Sequence, residues 1–521
     1  MKEDREKMNL VEKGTSRRNF IKHAAAGALG VASLGVLTAC NSKTATPPAP
    51  PPAPPKDEME WKKESDVVIV GAGGSGLVAA IEAITAGAKV LILEKAEKSG
   101  GTTAVCGGVI QASSTDYQKA NTPFKDDTPE KHFKLWLKAG EGTTDESLVK
   151  DLAYGAPDDI KWLTNLGVKF KSIVGHSHIP YIDESLYADR LHNVEGGGKA
   201  LAEILLNAAV AKGAVIEYQT EVTKLLTNES GEVIGVLAKQ GGSEINVKAK
   251  KGVILASGGI DQNVELAKQL NPQQYWALTT QQTLVAKTNT GDGIRMGMEV
   301  GAAVFTGGTI DISLRTRAGL SNIAPMLPAF YVNKKGRRFV CEDTTYAFNF
   351  RAIFQQEKMF DSPTYTIFGK SSLAAPGAPW NDESVKKEIE GGLLITADTI
   401  EELAKKIEVD PPNLAATLAT WNADMKNKKD NQFDRKTGLE PIQGPFYAYK
   451  NTTNNLGSIG GLKINAQTEV IHVNGKTIPR LFAVGMNSAG WIGPFYPGSG
   501  TAIMGCIHWG RKAGTNAAKL S

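Results

Sequence analysis

The chain has 521 residues, of which 41% are hydrophobic and 22% are charged. These fractions are ordinary for a soluble globular protein, and the length allows two domains with sizeable cores. The 59 lysines and arginines nearly balance the 55 aspartates and glutamates, which leaves a net charge of +4. No basic cluster stands out after the N-terminal segment, so the composition gives no support to a nucleic-acid partner.

The first 40 residues carry two adjacent export signals. Residues 16–22 read SRRNFIK, which matches the twin-arginine pattern, and the apolar run over 24–37 is too short for a comfortable transmembrane helix. The run ends in LTAC, which resembles a lipoprotein cleavage box with Cys40 as the lipidated first mature residue. We therefore expect residues 1–40 to be a signal peptide. The mature protein would be extracytoplasmic and anchored to the membrane at Cys40, on the periplasmic or cell-surface face.

Residues 41–64 form a predicted linker. Its segment 47–55 is nearly all proline and alanine, a composition that favours an extended polyproline II spacer. We expect this spacer to hold the folded body away from the membrane.

The remaining cysteines give no sign of a redox or metal centre. Cys106, Cys341 and Cys506 are widely separated, and the chain contains neither a C-x-x-C nor a C-x-x-C-H pattern. Iron–sulfur and c-type haem binding are therefore unsupported, and we interpret the three as buried thiols.

A glycine-rich turn follows the first predicted strand of the folded body. Residues 67–70 are a short apolar, β-branched run typical of a buried parallel strand. Gly71, Gly73 and Gly76 follow in G-x-G-x-x-G spacing. The first glycine allows the tight turn, the second lets a pyrophosphate approach the backbone, and the third lets the helix pack on the strand.

The elements after this turn complete a dinucleotide-binding pattern. An amphipathic, alanine-rich helix is predicted over 77–86, and its N-terminus offers free N–H groups to phosphates. A second apolar strand over 89–93 ends in Glu94, which is placed to bond a ribose hydroxyl. The small-residue loops at 99–103 and 107–108 can wrap a pyrophosphate or a ring edge.

The next part of the chain continues the alternation of helices and strands. Helices are predicted over 129–166, and a helix, a strand and a hairpin are predicted over 198–253. A separate apolar strand begins at residue 254 and ends in small residues at 256–259, which suit close approach of the backbone to a ligand. Residues 290–293 open a further helix.

From about residue 300 to 455 this alternation lapses, and it returns at 461–473. A last strand over 481–485, a glycine-rich loop and a final helix over 502–518 close the chain. We interpret the intervening segment as an inserted cap domain, which would place a cleft between body and cap.

These segments together resemble the flavoprotein family of fumarate reductases and 3-ketosteroid dehydrogenases. The resemblance runs from residue 65 to the C-terminus, and the motifs that carry it are VVIVGAGGSGLVAAIEA, VLILEK, SGGTT, VILASGG, TGDGIRMG, GRRFVCE, IPRLFAVG and SGTA. It implies an α/β fold, with a Rossmann-like, glutathione-reductase-like FAD-binding domain at 65–275 and 456–521. An α+β cap would lie at 276–455. No histidine stands in the loop 101–103, so the FAD should be held non-covalently.

The resemblance also implies the residues that contact FAD. They are Gly71, Ala72, Gly73, Gly74, Ser75, Gly76, Glu94, Lys95, Ser99, Gly100, Gly101, Thr102, Thr103, Gly107, Gly108, Val222, Ala256, Ser257, Gly258, Asp292, Gly485, Asn487, Ser499, Gly500, Thr501 and Ala502.

Three positions set the active site apart from the fumarate-reducing members. Where those enzymes carry an arginine proton donor, alignment through GRRFVCE places Tyr346. Their histidine is replaced by the sequence LGS at 456–458, and their second arginine by FYPGSG at 495–500. The Y-P-G-x-G pattern instead resembles the ketosteroid dehydrogenases, whose tyrosine and last glycine bind a ketone.

This second resemblance implies roles for three residues. The Tyr496 hydroxyl and the Gly500 N–H would stabilise the substrate oxygen as it becomes an enolate. Tyr346 would move the proton at the α-carbon as a general acid/base. A second tyrosine would assist Tyr346, and both Tyr181 and Tyr187 are candidates.

Other polar residues have simpler interpretations. A tyrosine in a cap domain is more often a packing residue, which is the alternative for Tyr346. Arg190 and His192 could contact substrate or order a loop. His176 and His178 have no third ligand nearby in the sequence, so we interpret them as solvated loop histidines and expect no metal.

The leading interpretation is an extracytoplasmic FAD-dependent oxidoreductase that moves hydride between flavin N5 and a C–C or C=C bond conjugated to a carbonyl. The substrate would be 3-ketosteroid-like or another enone, and a separate electron-transfer partner or the quinone pool would exchange electrons. The alternative enzyme is a respiratory reductase of an unsaturated carboxylate such as fumarate, urocanate or acrylate, with Arg315, Arg317 or Arg351 facing the flavin. The alternative outside enzymes is a solute-binding lipoprotein.

Overall fold

A computed structural model of the chain describes residues 59–175, 178–280, 282–313, 327–373 and 381–521. The predicted signal peptide with Cys40 and nearly all of the linker lie outside these residues, as do His176, Arg315 and Arg317. Residues 59–521 form one compact unit. Within the described residues, no helix combines the length and the apolarity needed to cross a bilayer.

The described chain alternates strands and helices. The strands are β1 (Lys63–Val70), β2 (Val90–Leu93), β3 (Val109–Gln111), β4 (Phe170–Val174), β5 (Leu191–Val194), β6 (Val215–Glu217), β7 (Thr220–Thr227), β8 (Val233–Gln240), β9 (Ser243–Leu255), β10 (Gln282–Thr283), β11 (Val304–Ser313), β12 (Ala329–Asn333), β13 (Thr364–Gly369), β14 (Ile395–Ala397), β15 (Phe446–Lys450), β16 (Thr453–Lys463), β17 (Glu469–Ile471), β18 (Thr477–Ala483) and β19 (Ser488–Ala489).

The helices lie between these strands and after the last of them. They are α1 (Gly74–Thr85), α2 (Gly101–Val105), α3 (Asp116–Asn121), α4 (Pro129–Ala139), α5 (Glu146–Asn165), α6 (Gly197–Ala211), α7 (Val264–Leu270), α8 (Pro272–Thr280), α9 (Asp292–Glu299), α10 (Tyr346–Met359), α11 (Lys370–Leu373), α12 (Asp382–Glu390), α13 (Ile400–Lys406), α14 (Pro411–Met425) and α15 (Thr501–Lys519).

The central sheet has the order β17-β18-β9-β1-β2-β6, with β7 and β8 joined beside β9. Strand β1 pairs in parallel with β2, from Val67↔Val90 to Val70↔Leu93, and in parallel with β9 on its other side. Because β1 is buried on both faces, its second half is uniformly apolar. The predicted α/β fold of Rossmann type is confirmed.

Helices α1 and α15 pack against each other through small residues. A Cβ on Gly514 would lie 2.2 Å from the carbonyl oxygen of Ala79, and one on Gly510 would lie 2.8 Å from that of Ser75. The two glycines therefore let α15 approach the helix that begins at the glycine-rich turn. This contact holds the C-terminal helix over the first βαβ unit.

One predicted boundary is wrong. Residues 243–255 form the single strand β9, whereas the sequence analysis ended a hairpin at residue 253 and began another strand at 254. Gly252 has no positive φ, and it pairs with Val67 in the ladder. The strand therefore has no turn at the place where the apolar run begins.

The described residues also form three smaller sheets. An antiparallel sheet of order β12-β13-β15-β14 lies within the segment predicted as a cap, and β10, β16, β11 and β19 form another sheet. The third has the order β3-β5-β4. Strand β16 runs without a break through the predicted boundary at residues 455 and 456. The domain bounds stay a prediction.

Candidate active site

The three glycines of the turn face different surroundings. Gly71 has φ +107°, and a Cβ there would lie 2.7 Å from the carbonyl oxygen of Ala256, so only glycine fits between β1 and β9. A Cβ on Gly76 would lie 2.1 Å from the carbonyl oxygen of Gly71, which keeps α1 close to β1. A Cβ on Gly73 would meet nothing within 4 Å. Gly73 therefore leaves open space for a ligand at the start of α1.

Glu94 is held rigidly at the end of β2. Its Oε2 accepts a hydrogen bond of 2.7 Å from the Ala72 N–H, and its Oε1 accepts one of 2.8 Å from the Ala96 N–H. The side chain is buried and lines the same space as Gly73. Two backbone donors thus fix the carboxylate where a ribose hydroxyl would meet it.

A charged pair lies beside Glu94. The Lys95 Nζ is 2.6 Å from Asp292 Oδ2 and 2.5 Å from Thr290 Oγ1. Asp292 is the first residue of α9, so the pair ties the end of β2 to the start of that helix. Both residues line the cavity.

These elements enclose a cavity of about 370 Å³, which we call the inner cavity. It collects most of the residues expected to contact the cofactor, together with the three expected to act on the substrate. Those residues are Gly71, Gly73, Gly74, Ser75, Glu94, Lys95, Gly101, Thr102, Thr103, Gly107, Gly108, Val222, Ala256, Ser257, Gly258, Asp292, Tyr346, Tyr496, Ser499, Gly500 and Ala502.

Seven expected contact residues are not on the cavity wall: Ala72, Gly76, Ser99, Gly100, Gly485, Asn487 and Thr501. Some of them form hydrogen bonds close to the wall. Asn487 Oδ1 accepts from the Ser257 N–H at 3.0 Å, and the Ser99 hydroxyl is 2.7 Å from that of Tyr218.

The inner cavity also has wall residues that the sequence analysis did not assign. They are Val70, Leu93, Cys106, Val109, Thr220, Asp261, Thr288, Asn289, Ile310, Leu456, Gly457, Met486, Ile503 and Cys506. Most of these residues are apolar or lie outside a recognisable motif. Their sequence positions therefore do not indicate that the fold brings them to one cavity. Cys106 and Cys506 are half-buried cavity thiols rather than fully buried ones, while Cys341 is buried as expected.

The two candidate tyrosines meet at one end of this cavity. Tyr346 is the first residue of α10, and its ring centroid is 6.1 Å from that of Tyr496. The helix cap Thr345 joins them, since its hydroxyl donates to the Tyr496 carbonyl at 3.1 Å and accepts from the Phe348 N–H. The start of α10 is thereby fixed to the loop before α15.

The two hydroxyl groups are held differently. The Tyr346 hydroxyl lies 3.3 Å from Ser499 Oγ, and burial raises the pKa of Tyr346 to about 12. The Tyr496 oxygen accepts a hydrogen bond of 2.8 Å from the Ala502 N–H, and burial raises the pKa of Tyr496 well above its ordinary value. Because Ala502 occupies one lone pair, the Tyr496 O–H remains available to donate to a ligand.

Gly500 supplies a second donor beside Tyr496. It has φ +89°, and a Cβ there would lie 2.7 Å from the Gln111 nitrogen. The Gln111 N–H donates to the Gly500 carbonyl at 3.3 Å, and its Oε1 accepts from the Thr501 hydroxyl and from Trp136 Nε1. Gln111 therefore positions this segment, a role that its isolated place in the sequence did not indicate.

Neither proposed helper tyrosine lines the inner cavity. The Tyr181 hydroxyl donates to Glu141 Oε1 at 2.9 Å, and its side chain is 48% exposed. The Tyr187 hydroxyl bonds to the backbone N–H and carbonyl of Ile179. The group in contact with Tyr346 is Ser499, which the sequence analysis assigned to the cofactor.

Arg190 and His192 are also outside the cavity wall. Arg190 is buried and donates to both carboxylate oxygens of Asp127. His192 Nε2 lies 2.7 Å from the Thr115 hydroxyl, and burial lowers the pKa of His192 to about 4. These contacts support the loop-ordering interpretation rather than substrate binding.

Arg351, the described candidate for a carboxylate ligand, is engaged elsewhere. Its guanidinium forms two hydrogen bonds with Glu141, at 2.7 and 2.8 Å, and lies over the rings of Phe348 and Phe495. Among the described residues, no arginine lines the inner cavity. Recognition of a carboxylate by a paired guanidinium therefore has no support in this part of the chain.

His178, expected to be a solvated loop histidine, is half-buried. The fold places Cys341 and Asp343 beside it, with one potential ligand atom from each of the three residues within 4.8 Å of the others. The His178 Nε2 is buried and has no hydrogen-bond partner in the described residues. More than 160 positions separate His178 from Cys341 and Asp343, so no local sequence pattern indicates this cluster.

Comparison with known proteins identifies the family. A family model described as an FAD-binding domain matches residues 66–503. The chain belongs to this FAD-binding family. It is an FAD-dependent oxidoreductase of the group that acts on CH–CH bonds, and FAD is its cofactor.

Known proteins match the flavoprotein over most of its length. The flavoprotein is 31% identical to a digoxin reductase of Eggerthella lenta, over 98% of each of the two chains. It is 30% identical to a cytochrome-type fumarate reductase of Shewanella frigidimarina, over 88% of this chain and 77% of that one. A 3-ketosteroid-Δ4-(5α)-dehydrogenase of Rhodococcus jostii, solved with 4-androstene-3,17-dione, superposes with a TM-score of 0.75 at 28% identity, covering 89% of this chain and 99% of that one.

The residues of the flavoprotein fit the cofactor. The open space at Gly73 admits a pyrophosphate at the start of α1, where free N–H groups favour an anion. The fixed carboxylate of Glu94 suits a ribose hydroxyl. The tyrosine pair lies on the wall of the same cavity, so substrate and cofactor can meet there.

Proposed function

We propose that the flavoprotein reduces a C=C bond conjugated to an uncharged carbonyl, in a ketosteroid-like or smaller enone. The observation that carries this proposal is the donor set at the end of the inner cavity. Tyr346, Tyr496 and the Gly500 N–H meet there, without an arginine among the described wall residues. A neutral ketone needs hydrogen-bond donors only, whereas a carboxylate is best bound by a paired guanidinium.

Two donors suit the carbonyl oxygen. The Tyr496 O–H is free to donate because Ala502 holds the other side of its oxygen. Among the described residues, no hydrogen bond is made by the Gly500 N–H, and Gly500 lines the inner cavity beside Tyr496. Such a preorganised donor is worth roughly 2.7–4 kcal/mol toward the developing oxyanion.

Tyr346 is placed to supply the proton. When bound and reduced by its electron donor, FAD would supply the hydride for the β-carbon. Tyr346 then delivers its phenolic proton to the α-carbon, with Ser499 at 3.3 Å orienting the hydroxyl and able to return a proton. A phenol whose pKa is about 12 stays protonated at neutral pH. The protonated phenol can therefore act as the general acid that reduction requires.

The relatives support this class of substrate. Digoxin reductase and the ketosteroid dehydrogenase, the latter with a 3-ketosteroid bound, both match the flavoprotein over most of their length. Relatives named fumarate reductase support the alternative, reduction of an unsaturated carboxylate. We favour the enone because Arg351 is already paired with Glu141.

We further propose that the flavoprotein works outside the cytoplasm. The adjacent twin-arginine and cleavage signals support export and lipidation at Cys40. Its electrons would come from a separate membrane-side partner or the quinone pool.

An anaerobic screen tests the proposed function. Photoreduced holoenzyme is mixed with a 3-keto-Δ4 steroid, small enones, digoxin, fumarate and urocanate, and flavin reoxidation is followed by absorbance. We expect rapid reoxidation by at least one neutral enone and little by fumarate or urocanate. Efficient turnover of either acid, with none of the enones active, would overturn the proposal.

A further inference from the structure

A cluster of three potential metal ligands lies outside the inner cavity. His178 comes from the loop before β5, and Cys341 and Asp343 come from the loop between β12 and α10. One ligand atom from each residue lies within 4.8 Å of the other two. His178 and Thr344 also form an isolated parallel bridge, which holds the two loops side by side.

We propose that His178, Cys341 and Asp343 bind one divalent transition-metal ion of the Zn²⁺ type. The ligands would be a neutral imidazole, a thiolate and a carboxylate, which together match the nitrogen, sulfur and oxygen donors that zinc takes. The thiol proton leaves to solvent, so the two anionic ligands balance the charge of the ion.

The His178 imidazole has an unused ligand atom. Its Nε2 is buried and makes no hydrogen bond in the described part of the chain. A buried ring nitrogen without a partner is costly, and a metal ion would satisfy it.

The other two side chains contact each other. The Cys341 Sγ–H donates to Asp343 Oδ1 at 3.0 Å. The second oxygen of Asp343 is already fixed, since Oδ2 accepts from the Lys436 N–H at 2.7 Å, the Thr437 N–H at 3.0 Å and the Thr437 hydroxyl at 3.2 Å. This arrangement leaves Oδ1 for an ion, and it supplies the supporting hydrogen bonds that orient metal-binding carboxylates.

The distances require small adjustments in both directions. The Cys341 Sγ and Asp343 Oδ1 atoms, now 3.0 Å apart, must separate slightly, and any longer separation in the cluster must shorten. Ligand atoms around a tetrahedral zinc ion lie about 3.4–3.8 Å apart, as its bond lengths dictate. A shift of about 1 Å from the present spacing completes that geometry.

A fourth ligand would have to come from outside the three side chains. Cys341 lines a second cavity of about 610 Å³, the outer cavity, which is shared with Pro180, Phe433 and Asp434. Water in the outer cavity can provide the fourth ligand. The bound ion would join the loop of His178 to the segment that leads into α10, three residues before Tyr346.

Metal content of the full-length holoenzyme tests the proposal directly. Tag-free protein is stripped with a chelator, loaded with Zn²⁺ or Co²⁺, passed through gel filtration and measured by elemental mass spectrometry. We expect about one ion per chain. The Co²⁺-loaded minus metal-free difference spectrum should show a thiolate-to-cobalt charge-transfer band and the visible bands of a tetrahedral ion. Less than about a tenth of an ion per chain, or no thiolate band, would overturn the proposal.

Substitutions identify the ligands. Cys341→Ser and Asp343→Asn should lose the bound ion and His178→Gln should weaken it strongly, whereas His472→Gln, a histidine on another loop, should leave metal content unchanged. Flavin content and circular dichroism show which variants remain folded. Retention of the same metal content by folded Cys341→Ser would place the ion elsewhere and overturn the assignment.

A milder pair of variants covers the case in which ligand variants unfold. Thr437→Val removes the hydroxyl that supports Asp343 Oδ2, while Thr437→Ser keeps it. We expect about 10-fold weaker metal binding in the valine variant, the lower end for loss of a supporting hydrogen bond, and wild-type affinity in the serine variant. Equal affinities in the two variants would contradict the role given to Asp343.

Discussion

At the scale of single residues, two tyrosine hydroxyl groups have different proposed roles. Tyr496 has its oxygen lone pair occupied by the Ala502 N–H and its proton free. Tyr346 contacts Ser499 and keeps its proton at neutral pH because burial raises its pKa to about 12. The first therefore suits oxyanion stabilisation and the second suits proton donation.

The first prediction concerns Tyr346→Phe. Removing the proton donor should lower kcat about 10²–10⁴-fold, the usual worth of a positioned acid, with KM little changed. The measurement is single-turnover reoxidation of reduced enzyme by its best enone. Tyr365→Phe, on β13 and away from the inner cavity wall, is the control. A Tyr346→Phe variant of full activity would remove Tyr346 from the mechanism.

The pH dependence of the wild type gives a second prediction. A general acid must be protonated, so its contribution is present below its pKa and is lost as the pH rises through that value. Because the pKa of Tyr346 is raised to about 12, kcat should show no alkaline loss between about pH 7 and 10 from this group. An alkaline limb in kcat with an apparent pKa near the ordinary phenol value of about 10, absent in Tyr346→Phe, would contradict it.

A third prediction concerns Tyr496→Phe. Loss of one oxyanion donor should reduce kcat about 10²–10³-fold. Substrate binding should weaken too, though less, because the contact strengthens toward the transition state. The variant should also unfold at a lower temperature, since the Ala502 N–H loses its partner. An unchanged kcat/KM in a folded, FAD-loaded variant would show that another group holds the carbonyl.

Some residues of the candidate site can be predicted from local sequence patterns alone. Glu94 and the glycines of the turn lie within one βαβ unit, so their spacing alone predicts that they face one ligand. The contact between Ser499 and Tyr346 was not anticipated, because the two residues are 153 positions apart. The cluster of His178 with Cys341 and Asp343 was missed for the same reason, since no local pattern reports a contact between distant loops.

At the scale of elements, α10 is fixed at two places. Thr345 ties its first turn to the Tyr496 carbonyl. One turn further on, Arg351 is paired with Glu141 in the loop after α4, and its guanidinium lies 4.7 Å from the centre of the Phe495 ring. We call the Arg351–Glu141 pair the clamp. Since Phe495 precedes Tyr496, the clamp contacts the segments that carry both tyrosines.

The clamp gives the fourth prediction. Arg351→Leu should lower kcat on the order of 10–100-fold by shifting Tyr346 relative to Tyr496, because misplacement of about 1 Å is costly. Arg351→Lys should restore part of the rate. Arg295→Leu, which breaks an exposed pair with Glu299 on α9, is the matched control. If Arg351→Leu affects fumarate reduction but leaves enone reduction intact, Arg351 is a carboxylate ligand instead.

The elements themselves were largely predictable. The strands and helices of the first βαβ unit and the final helix follow from apolar periodicity and glycine placement. The antiparallel sheet β12-β13-β15-β14 could not be predicted in this way, because its strands come from distant parts of a segment rich in polar residues and prolines. The sequence predicted two strands where the structure has the single strand β9, because the change from mixed to apolar residues near residue 252 resembles the start of a new strand.

At the scale of the whole molecule, the compact unit of residues 59–521 contains both the FAD-binding elements and the proposed active site. The proposed location depends on residues outside it. The fifth prediction is that Cys40→Ser releases the mature protein from membranes, and that Arg17→Lys with Arg18→Lys retains it in the cytoplasm. Fractionation with flavin content as the folding control measures both. Unprocessed wild-type protein in the cytoplasm would contradict the export proposal.

One comparison tests the central claim, the preference for a neutral carbonyl, most directly. Reduced holoenzyme is mixed anaerobically with two substrates that share the same C=C bond, benzylideneacetone and cinnamate, and the reoxidation rates are compared at saturation. We expect fast reoxidation by the ketone, little by the acid, and loss of the ketone reaction in Tyr496→Phe. Faster reoxidation by cinnamate than by the ketone would contradict it.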